Sequence, residues 1–143
     1  MTNKASIEDV RQWSVVAARA AADKKGEDTL ILSVEPLLKI TDAFVITSGT
    51  NARQVRTIAE EVEEKVKADG GPSPLRIEGL DDARWVLMDY GDFVVHVFLD
   101  EVRKFYELER LWADAERWPF ESPGSPEPVA AAVAAAVVAG EGS

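Results

Sequence analysis

The sequence predicts a single α/β (α+β) domain with a mixed five-stranded sheet flanked by helices. Apolar runs of strand length alternate with segments whose apolar residues recur at helical spacing, in the order α-β-β-α-β-β-β-α. The last two strands are apolar on both sides of the pleat, because Val86 and Met88 alternate with Trp85 and Leu87. This pattern indicates a sheet that is covered on both faces, at least over part of its width.

The chain begins with a predicted helix and two strands. Ser6 and Asp9 form a variant of the capping box ahead of apolar residues at helical spacing. Lys24-Lys25-Gly26 supplies a positive last turn and then a stop. Residues 29–34 and 42–47 are apolar runs of strand length, so they are the first two predicted strands.

A second helix is predicted after Asn51, and Gly70-Gly71 ends it. Its apolar residues recur on one face: Val55, Ile58, Ala59, Val62 and Val66. Residues 75–79 are predicted to form a third strand. Residues 85–88 and 93–98 then form a β-hairpin around the turn at residues 89–92, because Gly and Asp suit the backbone of a tight turn.

The last predicted helix runs through residues 103–112 and is strongly charged. At helical spacing, Phe105, Leu108 and Trp112 form its expected buried stripe. Arg103 and Glu107 are spaced as an i,i+4 ion pair, which is worth a few tenths of a kcal/mol if exposed. We expect Tyr106 to lie off the centre of the stripe, where it is free to reach a partner.

The composition changes abruptly after residue 120. Pro123, Pro126 and Pro128 are followed by an Ala/Val run without charge until Glu141. Proline-rich stretches form extended linkers, and the small side chains of the run bury little area. We therefore divide the chain into a folded domain at residues 1–120 and a disordered low-complexity tail at residues 121–143.

The charge balance favours a basic protein as the partner. The 143 residues carry a formal net charge of -10, whereas nucleic-acid binding needs an excess of Lys and Arg. No Cys is present, so the chain has no disulfide, thiolate metal ligand or thiol nucleophile. The start lacks the apolar core of a signal peptide, and no apolar run approaches the roughly 20 residues of a membrane helix. We expect a soluble, cytoplasmic protein without direct nucleic-acid or membrane binding.

Several motifs together resemble one family. They are DAFVITSG at residues 42–49, DYGD at 89–92, VVHVF at 94–98 and RKFYELERLW at 103–112. In this order and spacing, over roughly residues 6–115, they are similar to the ribosomal silencing factors, also called the Iojap or RsfS family. The family usually has Ser at the position of Asn51 and often His at that of Gln54, and for both positions we expect adjusted capping.

The resemblance implies a domain similar in topology to nucleotidyltransferases but without their activity. It implies binding to the fourteenth protein of the large ribosomal subunit, on the face that contacts the small subunit. Occupation of that face prevents subunit joining and slows translation when nutrients are scarce. The resemblance also implies a homodimer when the protein is off the ribosome.

The predicted partner-binding residues combine aromatic rings with carboxylates. They are Trp85, Glu78, Asp89, Tyr90, Asp92 and Tyr106. Trp85 is the first of them, because interface tryptophans fill apolar hollows on a partner; from the sequence alone, a core position is equally compatible. For the DYGD residues the simpler alternative is a turn chosen for backbone reasons, although Tyr90 is a poor turn residue and an exposed tyrosine there can bind.

Three further interpretations are weighed against this one. His96 is the single histidine and reads as a hydrogen-bonded core residue, because no cluster of ligands accompanies it for a metal. A nucleotidyltransferase-like enzyme using Ser48, Asp89 and Asp92 is the main alternative, but no strand offers the paired carboxylates that hold magnesium. We therefore predict no catalytic residue, cofactor or metal. The third interpretation is a homodimeric module whose aromatic residues pair with themselves.

Overall fold

The structure, a computed structural model, describes residues 6–36 and 40–120. The predicted tail at residues 121–143 lies outside the described residues, so the domain boundary at residue 120 stays a prediction. The helices are α1 (Ile7–Asp23), α2 (Ala52–Ala68), α3 (Asp100–Tyr106) and α4 (Leu108–Leu111). The strands are β1 (Glu27–Ser33), β2 (Ala43–Gly49), β3 (Arg76–Glu78), β4 (Trp85–Asp89), β5 (Phe93–Leu99) and β6 (Glu116–Arg117).

The strands form one mixed sheet in the order β3-β4-β5-β2-β1-β6. β2 and β5 are parallel at its centre, and the other neighbours are antiparallel. The predicted fold class is confirmed, and all five predicted strands are present. The sixth, β6, was not predicted, because a strand of two residues carries no alternation of its own.

Side-chain caps fix the starts of the two long helices. The Ser6 hydroxyl accepts from the Asp9 amide at 3.1 Å, and Asn51 Oδ1 accepts from the Gln54 amide at 2.8 Å. Gln54 Oε1 in turn accepts from the Thr50 amide at 2.7 Å. These bonds satisfy amide groups that the first turn leaves free. Asn51 and Gln54 thus both take part in capping α2.

The sheet has two apolar faces, as its sequence pattern predicts. On one face α1 and α2 cover a large core, which includes every residue of the predicted α2 stripe. On the other face a smaller core contains Leu32, Phe44, Ile46 and Phe98, and α3 adds Val102. Because α3 and α4 are short, they cover this second face only over part of its width.

The C-terminal helix differs from its prediction. Glu107 adopts a left-handed conformation, with φ of 47°, which breaks the predicted single helix into α3 and α4. Phe105 is therefore 81% exposed instead of buried. The predicted Arg103–Glu107 pair is also wrong: Arg103 Nε donates to Glu109 at 3.2 Å, and Glu107 pairs with Arg110. The break at Glu107 changes the direction of the chain, so that Glu109 of α4 reaches the Arg103 guanidinium.

Candidate functional site

Strand register brings several predicted residues to one face of the sheet. Trp85 lies opposite Phe98, and Leu87 lies between Glu78 on β3 and His96 on β5. Alternate residues of a strand share a face, so Asp89 follows Trp85 and Leu87 on β4. We call the surface formed by Glu78, Trp85, Leu87, Asp89 and Val94 the open sheet face. It lies opposite α1 and α2, and none of its residues is fully buried.

Trp85 lies between the second core and solvent. Its ring stacks on Phe98, with centroids 4.8 Å apart and planes 29° apart, and the Tyr106 ring lies 5.2 Å away. The indole Nε1–H donates to His96 Nδ1 at 3.1 Å. The polar end of the ring is thus satisfied inside the protein, and the half-buried ring leaves apolar area at the surface. Its role as a partner-binding residue stays a prediction.

His96 is the hydrogen-bonded core histidine that the sequence predicts. It is 4% exposed and packs edge-on against Phe44 at 4.7 Å. Because Nδ1 accepts from Trp85, the neutral ring carries its proton on Nε2, for which the described residues provide no acceptor. Burial lowers the pKa of His96 to about 4. The imidazole is therefore a neutral acceptor that fixes the orientation of the Trp85 ring.

Tyr106, the last residue of α3, lies beside the open sheet face and extends it. It is 55% exposed and contacts the Phe105 ring at 5.1 Å. Beside the two rings is a cavity of about 300 Å³ that is also lined by Arg84, Glu101 and Val102. Two exposed aromatic rings next to a shallow cavity are typical of a surface that takes up a partner side chain.

The carboxylates of the open sheet face are partly neutralised. Arg76 lies between Glu78 and Asp89, at 3.9 Å and 3.4 Å from their oxygens. Asp89 also accepts from the Gly91 amide at 2.8 Å. Asp89 thus has the backbone role in the turn that the simpler interpretation gives it, and one exposed arginine reduces the predicted negative field. Asp81 and Asp82 are exposed nearby.

The expectation that Tyr90 is exposed is wrong. Tyr90 is 5% exposed, and its ring stacks on Phe93 at 4.4 Å with an interplanar angle of 7°. Burial, with a contribution from Glu63, raises its pKa above the ordinary value. Tyr90 follows β4 on the side of Val86 and Met88, so it packs beneath the helices, on the face opposite Trp85. It therefore does not belong to the open sheet face.

Asp92 lies at the turn and not on the open sheet face. Its side chain is half-buried, and its backbone carbonyl accepts from the Asp42 amide at 2.8 Å. The structure thus brings Trp85, Glu78, Asp89 and Tyr106 together and leaves Asp92 at the end of the hairpin.

The residues of the enzyme alternative do not converge. Ser48 lies in the sheet row of Phe98 and Trp85, on the strand two away from β4. Asp89 is four residues further along β4, a displacement of roughly 13 Å along the strand in addition to the distance across the two strands. Ser48 is also buried and occupied, since its hydroxyl accepts from Arg103 and donates to the Glu27 carbonyl. Within residues 6–36 and 40–120, no group of three His, Cys, Asp or Glu side chains could hold a metal.

Three residues at the site were missed by sequence reasoning: Leu87, Val94 and Arg76. Leu87 joins Trp85 on the open sheet face, and strand alternation alone could have identified it. Arg76 could have been placed beside Asp89 only with the register of β3 and β4, which the sequence does not reveal.

The fold and the open sheet face define a small α+β domain with an aromatic surface bounded by charged residues. The sequence model described as "Ribosomal silencing factor during starvation" matches residues 7–140. The chain belongs to the ribosomal silencing factor family. No helix in the described part of the chain is long and apolar enough to cross a membrane.

Similar proteins come from bacteria and from an animal. Ribosomal silencing factor RsfS of Bacillus subtilis is 44% identical over 100 residues, which cover 70% of this chain and 84% of that protein. Mitochondrial assembly of ribosomal large subunit protein 1 of Mus musculus is 35% identical over 92 residues, or 62% of this chain and 40% of that protein. A crystal structure of a Chromobacterium violaceum protein is 34% identical, covers 78% of this chain and 91% of that chain, and has a TM-score of 0.69.

Proposed function

We propose that this protein is a non-catalytic translational repressor of the cytoplasm. It binds the large ribosomal subunit through the fourteenth ribosomal protein, and its bulk then blocks joining of the small subunit under nutrient limitation. The observation that carries the proposal is the half-buried Trp85 on the open sheet face, which packs against the second core and lies 5.2 Å from the Tyr106 ring. Membership of the ribosomal silencing factor family supports a ribosomal partner, and the name of the mouse relative links that protein to the large subunit.

The chemistry of the open sheet face fits a basic partner protein that accepts an apolar side chain. Trp85, Leu87 and Tyr106 provide contact area, and a buried aromatic ring at the centre of an interface supplies much of its affinity. The carboxylates of Glu78 and Asp89, within a chain of net charge -10, steer a basic partner and fix its orientation. Steric occlusion needs no bond-making, so this surface is sufficient for the mechanism.

Co-sedimentation with separated ribosomal subunits tests the proposal. We expect binding to the large subunit alone, and Trp85→Ala should weaken it by about 30-fold, the equivalent of a hot spot worth about 2 kcal/mol. Trp13→Ala is the matched control, because Trp13 is also half-buried but packs on the helix-covered core. Equal binding of the two variants, with both still folded, would contradict the assignment of Trp85.

The contribution of charge and the occlusion step need separate measurements. The affinity for the large subunit should fall when the salt concentration is raised from low to physiological, because part of the attraction is between exposed charges. An affinity that does not change with salt would mean that the carboxylates do not contribute to binding. Purified protein should also reduce the yield of joined ribosomes from isolated subunits. If it binds the large subunit but subunit joining is unaffected, the steric mechanism is wrong.

The free protein is proposed to be a homodimer that uses the same open sheet face. An exposed aromatic surface can also bind a second copy of the chain. Dimerisation and ribosome binding would then use the same surface and compete. Sedimentation equilibrium of the wild type and of Trp85→Ala tests this: the variant should be monomeric. Dimers found on the large subunit would overturn the competition. A monomeric variant with normal ribosome binding would mean that the aromatic surface serves only for self-association.

A further inference from the structure

Arg103 is the most extensively bonded side chain of the C-terminal helices. Its guanidinium is buried, with 6% of the residue exposed. Nη1 donates to the Glu27 carbonyl at 2.9 Å and to Ser48 Oγ at 3.1 Å, and Nη2 donates to the Asp28 carbonyl at 2.7 Å. Nε donates to Glu109 Oε1 at 3.2 Å. One side chain on α3 therefore binds the start of β1, the end of β2 and α4.

Irregular backbone on both sides makes this arrangement possible. The register between β1 and β2 shifts between Glu27 and Leu30, and Asp28 has a φ of 47°. Such a bulge takes residues out of the strand ladder, and two carbonyls of this segment accept from the guanidinium. On the other side, the left-handed Glu107 starts α4 in a new direction, which lets Glu109 reach Nε.

Little else holds α3 and α4 on the sheet. They have seven and four residues, and such short helices are not stable alone. Val102 and Arg103 are the buried residues of α3, and α4 has none. The N-terminus of α3 has no side-chain cap. The position of both helices therefore depends on the four hydrogen bonds of Arg103, on Val102, and on Leu108 and Trp112, which pack partly buried against the second core.

We propose that Arg103 is a positioning residue of the surface that binds the ribosome, which consists of the open sheet face and Tyr106. It holds α3 and α4 against the sheet, so that Tyr106 lies 5.2 Å from Trp85 and Trp112 packs edge-on against Phe44 at 5.5 Å. This inference rests on the proposed function, because it makes Arg103 necessary for ribosome binding without contact to the partner. The planar guanidinium offers five donors in fixed directions, whereas the compact ammonium of lysine cannot reach the same four acceptors.

The test compares Arg103→Lys and Arg103→Met with Val62→Ala. Val62 is a fully buried residue of α2 in the large core, on the sheet face opposite α3. Its truncation therefore destabilises the fold without removing a contact of α3. Hydrogen exchange of residues 100–112 should accelerate in Arg103→Met, less in Arg103→Lys, and not selectively in Val62→Ala. Dissociation from large subunits, measured well below each midpoint of unfolding, should be about tenfold faster in Arg103→Met and intermediate in Arg103→Lys.

The two readouts separate this inference from the proposed function. If exchange of residues 100–112 is unchanged in both Arg103 variants, Arg103 does not hold the helices and the inference is overturned. If exchange accelerates but dissociation matches that of Val62→Ala, Arg103 has only a structural role and the inference is again overturned. If the wild type itself does not bind large subunits, the proposed function fails, and with it the docking role of Arg103, whatever the exchange shows.

Discussion

Acidification should destabilise this protein through its one histidine. Burial lowers the pKa of His96 to about 4 in the folded state, whereas an unfolded chain gives histidine a pKa of about 6.5. Above pH 6.5 both states are neutral, and the folded state has no disadvantage. Between pH 6.5 and 4 the unfolded state binds a proton that the folded state does not bind, so the free energy of unfolding falls as the pH falls.

The size of the effect follows from the two pKa values. The two pKa values lie about 2.5 apart, which corresponds to about 3 kcal/mol once the pH is well below 4. At pH 5 the unfolded histidine is almost fully protonated and the folded one about one-tenth protonated, so about 2 kcal/mol of stability is already lost. Protonation of Nδ1 would also leave the Trp85 indole N–H without its acceptor.

Urea unfolding at pH 8 and pH 5, followed by far-ultraviolet circular dichroism, measures this loss. His96→Asn is the control, because Asn Oδ1 can accept from Trp85 at the place of Nδ1 but does not titrate. The carboxylates contribute equally to the pH dependence of the free energy of unfolding in the wild type and in His96→Asn. The difference between the two proteins therefore gives the contribution of the histidine. A wild-type loss no larger than that of His96→Asn would refute the reasoning.

Two further changes test how the backbone is held. Gly79 has a φ of 89°, and a Cβ there would overlap the Trp85 carbonyl, so Gly79→Ala should lower the free energy of unfolding by at least about 2 kcal/mol, measured with urea. Gly70→Ala is the control, because Gly70 has a φ of 82° but open space around it, so its loss reports only the cost of the positive φ. Equal losses in the two variants would show that the overlap at Gly79 is relieved. Asn51→Ala removes the acceptor of the Gln54 amide and should lower the free energy of unfolding by about 1 kcal/mol. A loss near zero would mean that the Gln54 side chain alone caps α2.

Most of the fold could be predicted because its elements have strong local patterns. The stripe of α2 repeats over about three turns, after a cap at Asn51, and tertiary packing agrees with it. β6 and the break at Glu107 could not be predicted in this way. β6 has only two residues, and Glu107 is not a residue that normally begins a left-handed turn. Both features depend on distant contacts, so no local pattern marks them.

The candidate site could be predicted only in part, since a strand pattern fixes which residues share a face but not which face is open. Trp85, Leu87 and Asp89 alternate with Val86 and Met88, so β4 separates the two sets in any register. Tyr90 continues the second set, and the helices happen to cover that side. The place of Tyr90 in the DYGD turn, between two carboxylates, suggested exposure, but its ring is buried and stacks on Phe93.

The break at Glu107 shows why the local pairing rule failed in the last segment. An exposed i,i+4 pair between Arg103 and Glu107 would contribute about 0.3–0.5 kcal/mol. A left-handed residue other than glycine costs about 1–3 kcal/mol, so the continuous helix is favoured locally. To form that exposed pair, however, the Arg103 guanidinium would leave its buried position and its four hydrogen bonds to Glu27, Asp28, Ser48 and Glu109. Loss of the partners of a buried charge costs about 3–5 kcal/mol, which exceeds both local effects. The helix therefore breaks at Glu107, and α4 turns back so that Glu109 contacts Arg103.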